Sequence, residues 1–262
     1  MLRNRKSALR RRMGLEMLED RLTPAGLVTA QLLLDGTLLI CGDALNNKIE
    51  VTEKYGDIEV KGNATAVNGV AKAEFDADAV ARVVIKLDGG NDTAYLSNLK
   101  VLGGIEINDD LGNDTYSAWN LDMSTASLSV NTGAGKDCVT VDHSLLGGLF
   151  VSTGAGNDEV GVDDSIVNIT LIETNGGDDE LKLEDSALTS LSANTGAGND
   201  EIKMKDLISS ILSVDAGAGS DFVYVDDVVA LTTGLVNGGS GSDVLQQRGS
   251  NFFVHLNFEG FL

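Results

Sequence analysis

The chain holds 262 residues with 31 Gly, a single Pro and a formal charge of -21. Its hydrophobic content of 42% is enough for a core, which excludes a disordered acidic tail. The charge is segregated: residues 1–25 carry seven basic and three acidic residues, so the remainder holds 12 basic and 37 acidic, a net of -25. Such a body repels phosphate backbones and attracts cations, so no nucleic-acid partner is expected for it.

Residues 1–25 read as a basic leader or targeting segment. Met13 to Leu22 is broken by Glu16, Glu19, Asp20 and Arg21, so it lacks the apolar run of an ordinary secretory signal. Nothing in the chain approaches the roughly 18 apolar residues of a membrane span, and no transmembrane span is expected. The run Leu18-Glu19-Asp20-Arg21-Leu22-Thr23-Pro24-Ala25 resembles the "LEDRLTPA" leader of many exported or surface proteins of planctomycete-type bacteria. That resemblance implies export, to an extracellular, cell-surface or periplasmic place.

Residues 26–90 read as an N-terminal cap with the first coils. Thr37 to Val51 gives a short strand, a polar turn ending in Asn47 and an alternating Ile49/Val51 strand. Asp57–Val60 and Val67–Val70 supply further strand and turn pieces, and Phe75–Val80 a short helical or irregular edge. A solenoid end needs such a cover, because an open coil exposes both core and strand edges.

From residue 91 to 248 the chain repeats. Asp92, Asp114, Asp137, Asp158, Asp179, Asp200, Asp221 and Asp243 each close a Gly-rich turn, at spacings of 22, 23, 21, 21, 21, 21 and 22 residues. A fixed period this short marks a solenoid in which every repeat is one coil. After each turn an apolar pair recurs two apart: Val139/Val141, Val160/Val162, Leu181/Leu183, Ile202/Met204, Val223/Val225. Alternation points these inward and Cys138, Glu159, Glu180, Glu201 and Phe222 outward. A second inward set precedes the turn (Leu128/Val130, Leu149/Val151, Leu191/Ala193, Leu212/Val214), and Leu145, Ile166, Ala187, Ile208 and Val229 read as a third column. The fold predicted is all-β, a parallel β-helix (β-solenoid) with ~21-residue coils, three wall segments per coil and roughly nine or ten coils in all. Residues 249–262, with four of the seven Phe, read as a C-terminal cap. Cys41 and Cys138 fall four to five coils apart, about 20 Å at a rung of ~4.8 Å, too far for a disulfide.

The turn phrase carries chemistry. Thr153-Gly154-Ala155-Gly156-Asn157-Asp158-Glu159-Val160-Gly161 resembles the nonapeptide of the hemolysin-type calcium-binding (RTX) family, and Gly238-Gly239-Ser240-Gly241-Ser242-Asp243-Val244-Leu245 follows its phrase throughout. The resemblance implies Ca2+ as cofactor, held by Asp92, Asp114, Asp137, Asp158, Asp178, Asp179, Asp200, Asp221 and Asp243, since calcium takes six to eight oxygens. One such turn per coil would place calcium along a single edge, and Lys136 should weaken its own turn. Carboxylates stacked ~4.8 Å apart repel by several kcal/mol at an effective dielectric of ~20. A second acidic column, Asp164, Asp185, Asp206 and Asp227, adds to this. Two resolutions stay open: cations neutralise the ladders, or the Asp side chains accept turn N–H groups and remain solvated.

No catalytic constellation stands out. His143 and His255 are isolated, Lys203 and Lys205 are the main outward bases, and the stacked Ser144, Ser165 and Ser186 read as corner hydrogen bonders. Tyr116 and Trp119, in the coil lengthened to 23 residues, are the ligand-contact candidates, read as outward or loop aromatics. The function expected is that of an exported acidic surface or extracellular structural or adhesion module, calcium-binding, with cell-surface polysaccharide or matrix proteins as partners. The alternative is a carbohydrate-active β-helix enzyme, a polysaccharide lyase or hydrolase.

Overall fold

The computed structural model describes residues 26–250 and 254–261. The leader at 1–25, together with Phe252 and Phe253 of the C-terminal segment, lies outside the described residues. What is described is a stack of coils built from two twelve-stranded sheets. Ten strands of each sheet run parallel, one per coil, and the remaining two close the N-terminal end. In the first sheet the central rungs are Asp122–Asn131, Leu145–Ser152, Ile166–Glu173, Ala187–Asn194 and Ile208–Asp215. In the second they are Thr115–Trp119, Cys138–Asp142, Glu159–Asp163, Glu180–Glu184 and Glu201–Lys205.

The second sheet follows the alternation read from the sequence. Val139 pairs with Val160, Val160 with Leu181, Leu181 with Ile202 and Ile202 with Val223, and all are buried. Each such side chain removed from water contributes roughly 1.5–3 kcal/mol, and identical registers let one coil template the next. Between strands the chain turns at Asn120, His143, Asp164, Asp185, Asp206 and Asp227, all with φ between 44° and 53°. Short polar side chains tolerate this left-handed conformation, which gives the second acidic column a conformational role.

The first sheet departs from the reading in one respect. Leu145, Ile166 and Ile208 are exposed, and the buried column is Leu146, Val167, Leu188, Ser209 and Ala230, one residue later. The cause is an irregularity common to these strands: pairing runs Leu146↔Val167 and resumes at Gly148↔Ile169, so one residue per coil stands outside the ladder. Counting back in twos from Leu149 and Val151 therefore lands on the wrong face, because one skipped residue reverses the alternation. The three wall segments read from the sequence are unequal: the coil has two full sheets. Its third edge is a narrow file of single parallel bridges, Ala134↔Ala155, Ala155↔Gly176 and Gly176↔Ala197 among them, at the Gly turns.

The ends differ from the middle. Leu27–Leu32 and Asp57–Gly62 add antiparallel to the first coil, with Lys72–Asp76 beyond and a single 3-10 turn at Ala77–Ala79 capped by Asp76. At the other end Val254–Leu256 and Gly260–Phe261 form the last rungs, with Phe258 packed against the core. No helix among the described residues is long and apolar enough to cross a membrane. Cys41 and Cys138 are both unbridged.

Candidate functional site

The Gly-rich turn is a device for stacking. Each turn bonds to the next through its backbone: Gly156 N donates to Gly176 O at 2.8 Å and Ala155 N to Gly133 O at 3.2 Å. Neighbouring turns lie so close that a Cβ built on Gly154 or Gly156 would enter the carbonyl group of Gly133 or Gly135. Both glycines also have positive φ, 91° and 146°, a region open to Gly at no steric cost.

The ladder aspartates lie inside this stack, buried. The backbone N–H of each donates to Oδ1 of the aspartate one coil on: Asp92 to Asp114 at 2.7 Å, Asp114 to Asp137 at 2.8 Å, Asp137 to Asp158 at 2.8 Å. Asp158, Asp179, Asp200 and Asp221 continue it to Asp243 at 2.8–2.9 Å. Asn47 N enters the chain on Asp92 and Asp243 N leaves it on Glu259 Oε2, so it runs from the first coil to the last. Of the two resolutions open from sequence, the Asp side chains do accept N–H groups. Those groups come from the adjacent coil, however, and the carboxylates are buried where the sequence suggested solvated ones.

A second ladder runs beside it in the opposite sense. Asn113 N donates to Asn91 Oδ1, Lys136 N to Asn113 Oδ1, Asp178 N to Asn157 Oδ1, Asn199 N to Asp178 Oδ1 and Ser220 N to Asn199 Oδ1. Where an Asn or Asp precedes the ladder aspartate, the pair thus holds the coil before and the coil after. Lys136 carries donors alone, so its side chain cannot continue the line. Asp178 belongs to this exposed outer ladder and is separated in role from the buried Asp179. Ser144 and Ser165 make a third line at the opposite corner, accepting from Leu121 N and Ser144 N at 3.1 Å, which is the hydrogen-bonding role read for them.

The second carboxylate oxygen sets the electrostatics. Oδ2 of Asp92, Asp114, Asp158, Asp179, Asp200, Asp221 and Asp243 is buried without a hydrogen-bond partner. Asp137 is satisfied: Thr132 Oγ1 donates to its Oδ2 at 2.6 Å and touches Thr153 O at 3.1 Å. Burial pushes the Asp179 and Asp221 carboxyls up to about 6, against the backbone N–H bonds that favour the anion, and raises Asp137 and Asp200 as well. Replacing Thr132 by Val keeps the shape and deletes the donor, stranding Asp137 Oδ2. The expected loss is about 1–3 kcal/mol, read as a lowered denaturation midpoint; an unchanged midpoint would mean Thr132 contributes packing alone.

One coil breaks the pattern. Tyr116 stands two residues past Asp114, in the inward column with Val139, and is buried, where the sequence suggested an outward or loop aromatic. Its hydroxyl donates to Asp109, which occupies the place that Thr132 holds in the next coil. Burial carries Asp92 and Asp109 to about 7 and Asp114 to about 6. Sequence reasoning passed over Asp109, though its position five residues before a ladder aspartate, where later coils have Thr, was the available signal.

The outer wall carries a different chemistry. Trp119 is exposed, with its ring 6.4 Å from that of His143, over a shallow hollow of about 320 Å³ lined by Ser117, Thr140, Asp142 and Asp163. Asp142 and Asp164 flank His143, and the Asp142 bond raises its imidazole above the ordinary range. Farther along, Lys182 and Lys203 pair with Glu159, Glu180 and Glu201 at 2.7–3.1 Å. Being partly exposed, each such pair contributes little alone, and the two Lys offset two of the three outward Glu charges across three coils. These acidic clusters and ion pairs are compatible with binding a cation. No family model, no curated protein and no solved structure matches this chain.

Proposed function

We propose that the protein is an exported, acidic structural or adhesion module of the cell surface or extracellular matrix, with calcium as the cation that balances its charge. The observation that supports this most is the unbroken ladder from Asn47 to Glu259. Keeping one geometry from coil to coil is what a rigid spacer requires, and it leaves two long walls for contact. One wall presents exposed aliphatic residues at Ile166, Ile169, Ile208 and Ile211; the other presents acids and Lys. Oxygen donors without Cys and with little His suit a hard cation. The leader resemblance supports export. Trp119 beside His143, Asp142 and Asp164 favours carbohydrate contact at that one place, as a polysaccharide-binding surface or, in the second reading, the subsite of a carbohydrate-active enzyme.

The test is protease shaving of intact producing cells, paired with binding of the purified chain to isolated cell envelopes in millimolar Ca2+ or chelator. Surface release and calcium-enhanced binding are expected. A chain retained inside the cell, or one that ignores envelopes in both conditions, would overturn the proposal. Measured turnover of a polysaccharide, abolished by Trp119→Ala, would move the assignment to the enzyme.

A further inference from the structure

The coil containing Tyr116 is the place where the repeat abandons its own rule. In the coils that follow, Thr132, Thr153, Thr174 and Thr195 put a hydroxyl where the ladder carboxylate needs a donor, and Thr132 supplies it directly to Asp137. Asp109 puts a third carboxylate there instead. One carboxylate oxygen from each of Asp92, Asp109 and Asp114 lies within 4.8 Å of the others, and all three residues are buried. Oδ2 of Asp92 and Oδ2 of Asp114 have no partner. Asp109 accepts from Asp110 N at 3.0 Å and from the Tyr116 hydroxyl. Among the described residues no Lys, Arg or His forms an ion pair with any of the three.

We propose that Asp92, Asp109 and Asp114, with the Tyr116 oxygen at their side, form an internal site for one hard divalent cation of the calcium class. Carboxylates out of water need a counter-charge or a proton, and oxygens up to about 4.8 Å apart can share an ion at the ~2.3–2.6 Å typical of calcium. Asp158, Asp179 and Asp200 also have unpartnered oxygens but face Thr in place of a third acid, so the site belongs to this coil alone. The inference rests on the cation part of the function proposed above and narrows it to one position.

Terbium reports on it, since a lanthanide bound beside Tyr116 is excited through the ring. Titrating Tb3+ into the full chain is expected to give saturable sensitised emission from one equivalent, displaced by Ca2+. Asp109→Thr restores the hydroxyl of the other coils and so retains the fold; it should remove that equivalent, and Asp109→Asn should weaken it at least about tenfold. Glu184→Gln, a partly exposed strand residue outside the side-chain ladders, should leave it unchanged. Equal emission from wild type and both Asp109 variants overturns this site while leaving cation binding elsewhere intact. Absence of any saturable uptake overturns both. An infrared band of protonated carboxyl that persists in saturating Ca2+ at neutral pH would show that protons hold the cluster, and overturns it too.

Discussion

Replacing Gly156 by Ala is expected to cost more stability than any substitution on the outer walls. Its φ of 146° is one that an L side chain rarely adopts, and the new Cβ would occupy the space of the Gly135 carbonyl. Neither the strain nor the clash can relax cheaply. The Gly135 carbonyl is backbone, and Gly156 N is itself bonded to Gly176 O at 2.8 Å, so moving one turn displaces the turns on both sides. Steric overlap and backbone strain together place the cost above about 3 kcal/mol. For a chain of this size that is a fall of roughly 10 °C in Tm. Gly161→Ala is the control, because the nearest atom to its new Cβ is Thr140 Cγ2 at 3.7 Å and its φ is not positive; it should melt as the parent does. Amide hydrogen exchange should show the loss concentrated between residues 133 and 177, because solenoid stability is set by neighbour interfaces. If Gly156→Ala and Gly161→Ala melt alike, the turn glycines are not required for coil stacking.

That result bears on what the turn phrase means. In the family it resembles, glycines and aspartates serve calcium; here the glycines permit backbone contact between coils and Asp Oδ1 serves the amide of the coil before. Period and composition are shared by both uses, so a sequence alone reads either way. What was legible followed from counting: the all-β parallel solenoid, its ~21-residue coil and the Val139-to-Val223 core column. Of the two errors, one came where counting was interrupted. The residue left unpaired on each rung, Gly147 opposite Asn168 among them, turned Leu145, Ile166 and Ile208 outward, and no residue type announces such a break. Tyr116 is the opposite case. It lies two residues past Asp114, as Val139 lies two past Asp137, so the column already placed it inside. The expectation that a tyrosine faces water displaced that arithmetic. Its hydroxyl is reconciled with burial by Asp109, a partner in another column that only the fold brings near.

With divalent cations chelated, the ladder also gives the protein an unusual pH response: between pH 8 and about pH 5 it should become more stable as acid is added. Asp92 and Asp109 are carried to about 7 and Asp114, Asp179 and Asp221 to about 6, in each case chiefly by burial. In the unfolded chain the same groups titrate near 3.9. The folded state therefore binds more protons across this interval, and stability falls as pH rises through it. The contribution is complete below about 4 and lost above about 7. Moving one carboxyl's titration up by a single pH unit is worth ~1.4 kcal/mol. Several carboxyls raised from near 3.9 to about 6 or 7 imply a rise in Tm on the order of 10 °C from pH 8 to pH 5. Acid also relieves the repulsion in a chain of charge -21, in the same direction. Below about pH 4 the trend reverses, because Glu59 and Glu180, held below their ordinary range chiefly by Lys72 and Lys203, then lose those partners. Asp179→Asn with Asp221→Asn places neutral side chains at two rungs while keeping an oxygen for the amide bond. This pair should raise Tm at pH 8 and flatten the profile. A parent Tm that falls steadily from pH 8 to pH 5 under chelation would show instead that the backbone N–H bonds of the neighbouring coils hold the buried carboxylates as anions.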